Sequence, residues 1–305
     1  MNLLVVGTVA YDSVKTPFGE EASVLGGSAT YFSVAASYFT EVGVLAVVGE
    51  DFKREDLATF EKHHIDTSGL ETALGGTTFH WEGEYGYDLN DPKTLKTDLN
   101  VLAEFNPRLP EACRDVPYLF LANIDPRVQL QVLDQVKAPH LVAADTMNYW
   151  IEGNREDLLK VLRRIDILTI NESEARLLAQ EFNLVKAARR IISWGPRTVI
   201  IKRGEYGVLE ISENSIFAMP AYPLDSVRDP TGAGDSFAGG FMGFLANGHG
   251  LEPPQSVRQA ILAGSVMASL NVQDFSLRRL SALTQDDIRE RHRAFQQLTV
   301  VESLD

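Results

Sequence analysis

The stretch Asp229-Pro230-Thr231-Gly232-Ala233-Gly234-Asp235-Ser236-Phe237 places a turn of small residues directly before a helical pattern. Residues 232–234 carry almost no side chain, so their backbone N–H groups can approach a ligand closely. The positive end of the helix dipole adds attraction for an anion at the same place. We therefore interpret this turn as an anion hole.

Asp235 stands at the far edge of the turn. A carboxylate beside an anion hole repels the anion, so folding alone does not favour the arrangement. The arrangement is useful if Asp235 takes a proton from a hydroxyl that attacks a phosphate. An ordinary glycine-rich turn before a core helix is the alternative, but the full nine-residue string is more specific than a lone Gly-x-Gly.

The helix after the turn carries an apolar stripe and three glycines. Phenylalanine and leucine recur at helical spacing between residues 237 and 245, which predicts one buried face. Each glycine in this helix costs roughly 0.5–1 kcal/mol of helix stability relative to alanine. Close packing against a neighbour or a ligand is the expected compensation.

Length and composition exclude several classes of protein. The 305 residues suffice for a large core, as one domain or as one domain with an insertion. The net charge of −14 argues against nucleic acid and anionic membranes as partners, since both need basic surfaces. No apolar run approaches a membrane span, and no signal peptide is visible. Cys113 is the single cysteine, which excludes an intrachain disulfide and predicts a cytoplasmic protein.

Short apolar runs alternate with helix-length amphipathic segments along most of the chain. This alternation predicts a mostly parallel sheet between layers of helices, with strands buried on both faces. The strand candidates are residues 3–7, 42–48, 118–124, 141–145, 165–170 and 198–202. The helix candidates, besides the one after the turn, are residues 28–39, 54–63, 129–136, 157–165, 172–180, 185–194, 254–270 and 285–298.

Two segments interrupt this alternation. Residues 13–25 are polar and turn-rich, and residues 77–97 alternate aromatic with polar side chains, which predicts half-buried antiparallel strands. Together they would form a small sheet that covers a substrate cleft, or else two surface hairpins without a gating role. We expect an α/β core of residues 1–12, 26–76 and 98–305, and a β lid of residues 13–25 and 77–97.

Polar residues follow most of the strand candidates. Ligands of open α/β sheets bind beyond the carboxyl ends of the strands. Asp and Asn also favour caps and turns, so each residue alone is ambiguous, whereas their joint occurrence marks a site. These residues are Asp12, Asn123, Asp125, Asp145, Asn148, Asn171, Glu174 and Lys202.

These motifs together resemble the PfkB/ribokinase family of carbohydrate kinases along nearly the whole chain. Residues 229–235 resemble the highly specific C-terminal signature, and Gly26-Gly27 with its small-residue helix resembles the N-terminal signature. Residues 171–174 resemble the family's Asn-x-x-Glu element, and residues 201–208 resemble the strand and glycine turn at the nucleotide. The resemblance implies a ribokinase-like three-layer α/β/α sandwich with a mostly parallel central sheet and a small β-sheet lid.

By this resemblance, the chain is an ATP-dependent kinase that transfers the γ-phosphate to a hydroxyl of a small sugar, polyol or nucleoside. Asp235 is then the base that deprotonates the acceptor hydroxyl. Gly232, Ala233 and Gly234 form the anion hole for the migrating γ-phosphate. The roles implied by the family agree with those that the turn predicts on its own.

The resemblance also implies residues for magnesium, the nucleotide and the acceptor. Asn171 and Glu174 organise Mg²⁺ and its waters, and oxygen ligands suit this hard ion. The candidates at the nucleotide are Lys202, Gly204, Gly207, Thr231 and Gly264. The candidates at the acceptor, which include three strand-end residues, are Asp12, Gly26, Gly27, Tyr31, Asn123 and Asp145. Asp229 and Thr231 match positions that bind a monovalent cation in some members, and the sequence leaves that cation open.

Tyr31 departs from the pattern of the family. Many of its sugar kinases have Asn at this position, where the amide binds sugar hydroxyls, and an aromatic ring cannot reproduce that hydrogen bonding. The ring could stack on a sugar or a base, or pack in the core. Ser28 follows the glycine pair where ribokinases commonly have Lys. Both departures disfavour ribose and leave a nucleoside, an inositol-like polyol or another sugar as the acceptor.

Other functions fit the sequence less well. A non-catalytic sensor of a nucleotide or sugar phosphate is the alternative, but a binding protein has no need of the base at Asp235. Residues 7–12 lack the glycine spacing of a dinucleotide fingerprint, and no P-loop string occurs. A homodimer is a further expectation, since lid-mediated dimers occur in similar proteins.

Overall fold

The apolar runs form the centre of a nine-stranded sheet, called the large sheet. The structure is a computed structural model that describes residues 1–90, 92–248, 255–298 and 300. Within the same residues, a four-stranded sheet, the small sheet, lies beside the large sheet. In chain order the strands are β1 (Leu3–Val6), β2 (Ala10–Thr16), β3 (Gly19–Gly26), β4 (Val42–Gly49), β5 (Asp66–Ala73), β6 (Phe79–Glu84), β7 (Lys93–Asp98), β8 (Tyr118–Leu121), β9 (Leu141–Ala144), β10 (Ile167–Asn171), β11 (Thr198–Lys202), β12 (Val208–Ser212) and β13 (Ile216–Met219).

Helices cover both faces of the large sheet. In chain order they are α1 (Ser28–Ser37), α2 (Arg54–Lys62), α3 (Pro126–Leu133), α4 (Asn148–Gly153), α5 (Arg155–Leu162), α6 (Glu172–Ala179), α7 (Leu184–Ile192), α8 (Ala233–Ala246), α9 (Gln255–Asn271) and α10 (Gln285–Leu298). Short 3₁₀ turns span Asn100–Glu104, Glu111–Cys113, Gly204–Tyr206 and Leu280–Ala282.

The large sheet has the order β13-β12-β11-β10-β9-β8-β1-β4-β5. Neighbouring strands from β11 to β5 pair in parallel, whereas β12 and β13 are antiparallel additions at one edge. The carboxyl ends of β1, β8, β9, β10 and β11 therefore lie along one edge of the sheet, where ligands of open α/β sheets bind. The predicted mostly parallel sheet is confirmed.

Each face of the large sheet has its own hydrophobic core. Helices α1, α2, α8, α9 and α10 bury side chains on one face, and α3, α5, α6 and α7 on the other. Strand β4 is buried at every residue because its apolar side chains alternate between the two cores. Phe32 of α1 stacks on Phe120 of β8 with ring centroids 4.5 Å apart. The predicted three-layer α/β/α sandwich is confirmed.

The glycines of α8 let neighbouring helices come close. A Cβ at Gly239 would lie 2.2 Å from the carbonyl oxygen of Phe32 in α1. A Cβ at Gly240 would lie 2.8 Å from the carbonyl oxygen of Ala263 in α9. Neither contact leaves room for a methyl group, so the predicted close packing is confirmed, and the partners are helices of the same core.

The small sheet has the order β3-β2-β6-β7. The pairs β2–β3 and β6–β7 are antiparallel, as the alternating pattern predicts, but the central pair β2–β6 is parallel. The pair β6–β7 confirms the antiparallel strands expected from residues 77–97, and the parallel pair joins two hairpins that come from distant parts of the chain. The division of the chain into a core and a lid stays a prediction.

Some elements were missed by the sequence patterns. Strand β5 lies at the edge of the large sheet and reads Asp-Thr-Ser-Gly-Leu-Glu-Thr-Ala, so it lacks an apolar run. Helix α4 is only six residues long. Pro254, the predicted start of a helix, lies outside the described residues, and α9 is described from Gln255. None of the described helices is long and apolar enough to cross a membrane.

Candidate active site

The turn before α8 keeps part of its predicted anion hole open. Gly232 has φ 73°, a left-handed conformation that favours glycine, and its carbonyl accepts a hydrogen bond from Ser236 N at 2.8 Å. The amide of Ala233 donates to the carbonyl of Pro230 at 3.1 Å. Within the described residues, the amides of Gly232 and Gly234 donate to no protein acceptor. The three-amide hole is thus reduced to two available donors, because the turn itself uses the amide of Ala233.

Asp235 lies in the first turn of α8 and is partly buried. Its carboxylate forms no ion pair with any residue that the structure describes. Burial raises the pKa of Asp235 to about 7, the carboxylate of Asp145 adds to the rise, and the ammonium of Lys202 opposes it. An unpaired carboxyl with a pKa near neutrality is suited to accept a proton at physiological pH.

A buried ion pair faces the turn. Lys202 Nζ at the end of β11 donates to Asp145 Oδ2, just past the end of β9, at 2.7 Å, and the two side chains are 17% and 6% exposed. The second oxygen of Asp145 accepts a hydrogen bond from Thr146 N at 2.7 Å. A Cβ at Gly234 would lie 2.9 Å from Lys202 Nζ, so the ammonium lies directly against the turn.

The charge of Lys202 is well supported in its place. Burial lowers its pKa, but the carboxylates of Asp145 and Glu174 overcome that effect and hold the pKa above its ordinary value. Lys202 therefore stays an ammonium ion at neutral pH. In a chain of net charge −14, it supplies local positive potential beside the two open amides.

Asp12 lies close enough to Asp235 to feel its charge, and Asp12, Gly26 and Gly27 together with Gly232, Gly234, Asp235, Lys202 and Asp145 are called the cluster below. Asp12 is buried, and its Oδ2 accepts a hydrogen bond from Gly27 N at 3.3 Å. A Cβ at Gly26 would lie 2.0 Å from the same oxygen, so only glycine admits the carboxylate there. Burial raises the pKa of Asp12 to about 7, and the carboxylates of Asp229 and Asp235 contribute. Two carboxyl groups with raised pKa values therefore share one region.

Tyr31 lies behind the turn rather than at its open side. Its side chain is 1% exposed, and a Cβ at Gly232 would lie 2.4 Å from ring atoms of Tyr31. Of the options left open by the sequence, packing in the core fits this position, and stacking on a ligand does not, because the ring is covered. Its assignment to the acceptor rests on the resemblance alone.

Asn123 at the end of β8 has its amide engaged by the protein. Its Oδ1 accepts from the indole nitrogen of Trp150 at 3.0 Å, and its Nδ2 lies 3.1 Å from the sulfur of Met147. No sequence pattern indicated Trp150 or Met147, which lie in and just before the short helix α4. Asn123 therefore orients an indole next to the cluster, and its contact with an acceptor stays a prediction.

Two other strand-end residues serve local structure. Asp125 is the N-cap of α3 and accepts a hydrogen bond from Arg127 N at 2.8 Å, with Pro126 at the first helical position. The side-chain oxygen of Asn148 accepts from the adjacent amide of Tyr149 at 2.9 Å. The cap and turn interpretation is sufficient for both residues.

Asn171 and Glu174 form a capping box at the start of α6. Asn171 Oδ1 accepts from Glu174 N at 2.7 Å, and Glu174 Oε2 accepts from Asn171 N at 2.9 Å. The Asn-x-x-Glu pattern thus has a structural role whatever else it binds. The pair also offers the oxygen donors that Mg²⁺ prefers, close enough to Lys202 for Glu174 to raise its pKa. No group of three or more His, Cys, Asp or Glu gathers around a metal position in the described residues.

The glycines predicted at the nucleotide all have close neighbours in the protein. Gly204 and Gly207 have φ 54° and 87°, and a Cβ at Gly207 would lie 2.0 Å from the carbonyl oxygen of Met219. A Cβ at Gly204 would lie 2.4 Å from Oδ1 of Asn90, so the loop after β6 reaches this turn. Gly264 is buried between α9 and α8, where a Cβ would meet the backbone of α8 at 2.6 Å. Helix packing explains Gly264 without an adenine contact.

The turn is held from behind by a hydrogen-bonded network. Buried Asp229 accepts from Thr231 N at 2.9 Å and from Ser276 N at 3.1 Å. Asn271 of α9 donates to the carbonyl of Thr231 at 2.9 Å. The hydroxyl of Thr231 lies 3.3 Å from the hydroxyl of Tyr85, which directly follows β6 of the small sheet. Sequence patterns missed Asn271 and the position of Tyr85, because both contacts join distant parts of the chain.

An open cavity of about 860 Å³ lies away from this cluster. It borders the end of β5 and the 3₁₀ turn Asn100–Glu104, with Thr77 and Arg108 in its wall. None of the residues predicted at the site lines it. The cluster around Asp235, rather than this cavity, therefore defines the candidate active site.

Comparison with known proteins assigns the class. The family model for the pfkB family carbohydrate kinases matches residues 4–283, and the chain belongs to that family. The chain is therefore a phosphotransferase that acts on hydroxyl acceptors, and binding of ATP and Mg²⁺ follows from the family. The resemblance drawn from the motifs is confirmed.

Individual relatives include kinases of nucleosides. The chain is 31% identical over 257 residues to a cytidine kinase of Thermococcus kodakarensis, which covers 83% of this chain and 91% of the relative. The nucleoside kinase of Burkholderia thailandensis in complex with ADP-inosine matches with a TM-score of 0.80 at 17% identity over 100% of both chains. The nucleoside kinase of Methanocaldococcus jannaschii, an archaeal member of the ribokinase family, matches with a TM-score of 0.77 at 20% identity, covering 96% of this chain and 99% of its own. The two structures establish the fold.

Proposed function

We propose that this kinase transfers the γ-phosphate of ATP to a hydroxyl of a nucleoside, within the wider class of sugars, polyols and nucleosides. The observation that carries the reaction is the Asp235 carboxylate, unpaired among the described residues, beside the available amides of Gly232 and Gly234. The similarity to a cytidine kinase over most of both chains supports a nucleoside as the acceptor.

The acceptor is held and activated by two carboxylates. Asp12, fixed by Gly27 N, binds one hydroxyl of the acceptor, and Asp235 accepts the proton of the hydroxyl that reacts. The acceptor oxygen forms a bond to the γ-phosphorus while the bridging P–O bond breaks, so ADP leaves. Asp235 then returns its proton to solvent.

Charge on the transferred group is stabilised from the opposite side. The amides of Gly232 and Gly234 donate to the phosphoryl oxygens, and the ammonium of Lys202, 2.7 Å from Asp145, lies beside them. Asn171 and Glu174 are the residues for Mg²⁺, which would neutralise phosphate charge when bound. Most of the rate enhancement then comes from positioning and electrostatics.

We also propose a role for the small sheet. Tyr85 links the small sheet to the turn. This contact supports the role of the small sheet as a lid that closes over the acceptor and excludes water. A monovalent cation at Asp229 and Thr231, a homodimer and a cytoplasmic location are proposals from the sequence. Gly204 and Gly207 remain the candidates for the nucleotide side.

The proposal is tested by coupled measurement of ADP formation with purified protein, ATP and Mg²⁺. The panel consists of cytidine, uridine, adenosine, inosine, ribose, fructose and myo-inositol. We expect the highest kcat/KM with one of the nucleosides and ADP formation that depends on the acceptor. The control is Asp134→Asn, which changes an exposed aspartate at the C-cap of α3, ion-paired with Arg164, and should leave turnover intact.

Two outcomes would overturn parts of the proposal. A thermal shift with nucleosides but no ADP formation with any acceptor would make the protein a sensor instead of an enzyme. Turnover confined to ribose, fructose or inositol would support kinase activity but contradict a nucleoside as the acceptor.

A further inference from the structure

The ring of Tyr31 lies face-on against the backbone of Gly232. A Cβ at Gly232 would lie 2.4 Å from Cγ, 2.4 Å from Cδ1 and 2.5 Å from Cδ2 of Tyr31. Nearly equal distances to three ring atoms place the face of the ring, not its edge, over the Cα of Gly232. A residue with any side chain at position 232 would have to displace the ring.

The backbone conformation of Gly232 sets the orientation of α8 and of the turn amides. It is the N-cap of α8, with φ 73°, and its amide is one of the two available donors. A shift of Gly232 would therefore move the donors and the first turn of α8, which carries Asp235. The packing partner of Gly232 thus bears on the geometry of both.

Tyr31 is itself tied to the acceptor side of the site. Its amide in the first turn of α1 donates to the carbonyl of Gly27 at 3.2 Å, and the amide of Gly27 donates to Asp12. Tyr31 therefore contacts Gly27 through its backbone amide and Gly232 through its ring. One side chain connects the residues proposed for the acceptor with the residues proposed for the phosphoryl group.

The ring, rather than the hydroxyl, is the part of Tyr31 in contact with the turn. The side chain is 1% exposed, so no ligand reaches either face of the ring. The hydroxyl is buried without a hydrogen-bond partner among the described residues. Burial, with the carboxylates of Asp12 and Asp229, raises its pKa well above the ordinary value, so the hydroxyl stays neutral.

We propose that Tyr31 is a positioning residue for phosphoryl transfer, whose ring holds Gly232 and thereby sets the two turn amides and Asp235 relative to the acceptor. The inference rests on the proposed function of the same site. This role gives a reason for an aromatic residue at a position where many sugar kinases of the family have Asn. In this role Tyr31 contacts the turn and not the substrate.

The test compares Tyr31→Leu with Phe32→Leu. Phe32 is the next residue of α1, is fully buried and stacks on Phe120, away from the turn. Both substitutions remove a buried ring and are expected to lower Tm. Only Y31L is expected to lower kcat, by about ten- to a hundredfold with little change in the KM of the acceptor, because small misplacements of reacting groups are that costly. Tyr31→Phe keeps the ring and should restore most of the lost kcat.

A double-mutant cycle tests the contact itself. Gly232→Ala introduces a methyl group into the ring of Tyr31, and Tyr31→Ala creates the space for it. The strain of a positive φ at residue 232 remains in both backgrounds. If the two effects were independent, the kcat of the double variant relative to wild type would equal the product of the two relative kcat values of the single variants. We expect it to be about tenfold higher than that product, because the two residues are in contact.

The outcomes separate this inference from the proposed function. Equal kcat values for Y31L and F32L would overturn the inference, and so would a higher acceptor KM at unchanged kcat in both Y31L and Y31F, which assigns the hydroxyl to the acceptor. If wild-type protein shows no turnover, the proposed function fails, and hydrogen exchange of residues 230–236 decides the packing claim. Faster exchange there in Y31L but not in F32L supports the claim, and equal exchange contradicts it.

Discussion

The glycine turn at residues 229–235 and the small sheet border the same site, but the protein holds them differently. The turn is fixed from behind by buried Asp229, by Asn271 and by the packed glycines of α8. In the small sheet, five of the six residues of β7 are exposed. The groups proposed for phosphoryl transfer therefore lie on the packed side.

One lysine–carboxylate pair lies beside the turn, and another of nearly the same length lies in the small sheet. Lys202–Asp145 measures 2.7 Å with side chains 17% and 6% exposed, whereas Lys15–Glu84 in the small sheet measures 2.8 Å at 58% and 39%. Distance therefore does not distinguish them, but solvent does. Water screens the pair of the small sheet, while the pair at the turn acts at full strength on its neighbours.

The largest expected effect is that of Asp235→Asn on turnover. The amide cannot accept the proton of the acceptor hydroxyl, so kcat should fall by about 10³-fold while the Kd of ATP stays within a few-fold. Stopped assays of ADP and a fluorescent ATP analogue measure the two quantities. Asp98→Asn, at the end of β7 in the small sheet, is the control and should leave both unchanged. Near-normal turnover of D235N would remove Asp235 from its role.

The second prediction compares the two lysine–carboxylate pairs directly. Lys202→Met should lower kcat by about a hundredfold, because phosphate charge loses a preorganised cation. It should also cost about 3–5 kcal/mol of unfolding free energy, since Asp145 is left buried without its partner. Lys15→Met should change neither kcat nor Tm measurably. Equal losses in the two variants would break the contrast between the regions.

The third prediction concerns pH. The pKa of Asp235 is raised to about 7, so kcat/KM should fall by about tenfold per unit below pH 7, as this one carboxyl takes up a proton and can no longer act as the base. Stability has the opposite sign. A raised pKa means that the folded state binds the proton more tightly than the unfolded chain, so this contribution is lost as pH rises toward and past 7.

D235N provides the control for that sign. At pH 3, below the ordinary Asp pKa of 3.8, the wild-type carboxyl is neutral in both the folded and the unfolded chain, as the amide is, and the two proteins should differ little in Tm through this group. At pH 8 the wild-type protein carries the buried charge, and D235N should be the more stable one. A Tm difference between the two proteins that does not change with pH would contradict the raised pKa of Asp235.

The smallest effect is expected at the contact between the regions. Tyr85→Phe removes the hydroxyl that lies 3.3 Å from the hydroxyl of Thr231. A neutral hydrogen bond contributes about 0.5–1.5 kcal/mol, so kcat/KM for the acceptor should fall a few-fold, with the Kd of ATP unchanged. An effect as large as that of K202M would mean that the small sheet places the reacting groups as firmly as the turn does.

Local patterns predicted the parts of the fold whose cause is local. Continuous apolar runs predicted β1, β4 and β11, because strands buried on both faces need them. The glycines of α8 predicted close packing, because glycine inside a helix lowers its stability unless a neighbour needs the space. Strand β5, polar and at the sheet edge, carries no such pattern and was missed.

Contacts between distant residues were beyond the sequence patterns. The pairing of Lys202 with Asp145 joins residues 57 positions apart, and the indole of Trp150 reaches Asn123 across 27 positions. The position of Tyr31 under Gly232 likewise depends on the packing of α1 against α8. Residue types at strand ends indicated candidates for the site, and tertiary packing decides which of them serve as caps and which are left available to a ligand.

The crystal structure with a non-hydrolysable ATP analogue, Mg²⁺ and the acceptor nucleoside tests the central claim most directly. The account predicts γ-phosphate oxygens about 3 Å from the amide nitrogens of Gly232 and Gly234. It also predicts an acceptor hydroxyl within about 3 Å of an Asp235 carboxylate oxygen. A γ-phosphate bound away from the turn, or an acceptor hydroxyl out of reach of Asp235, would contradict it.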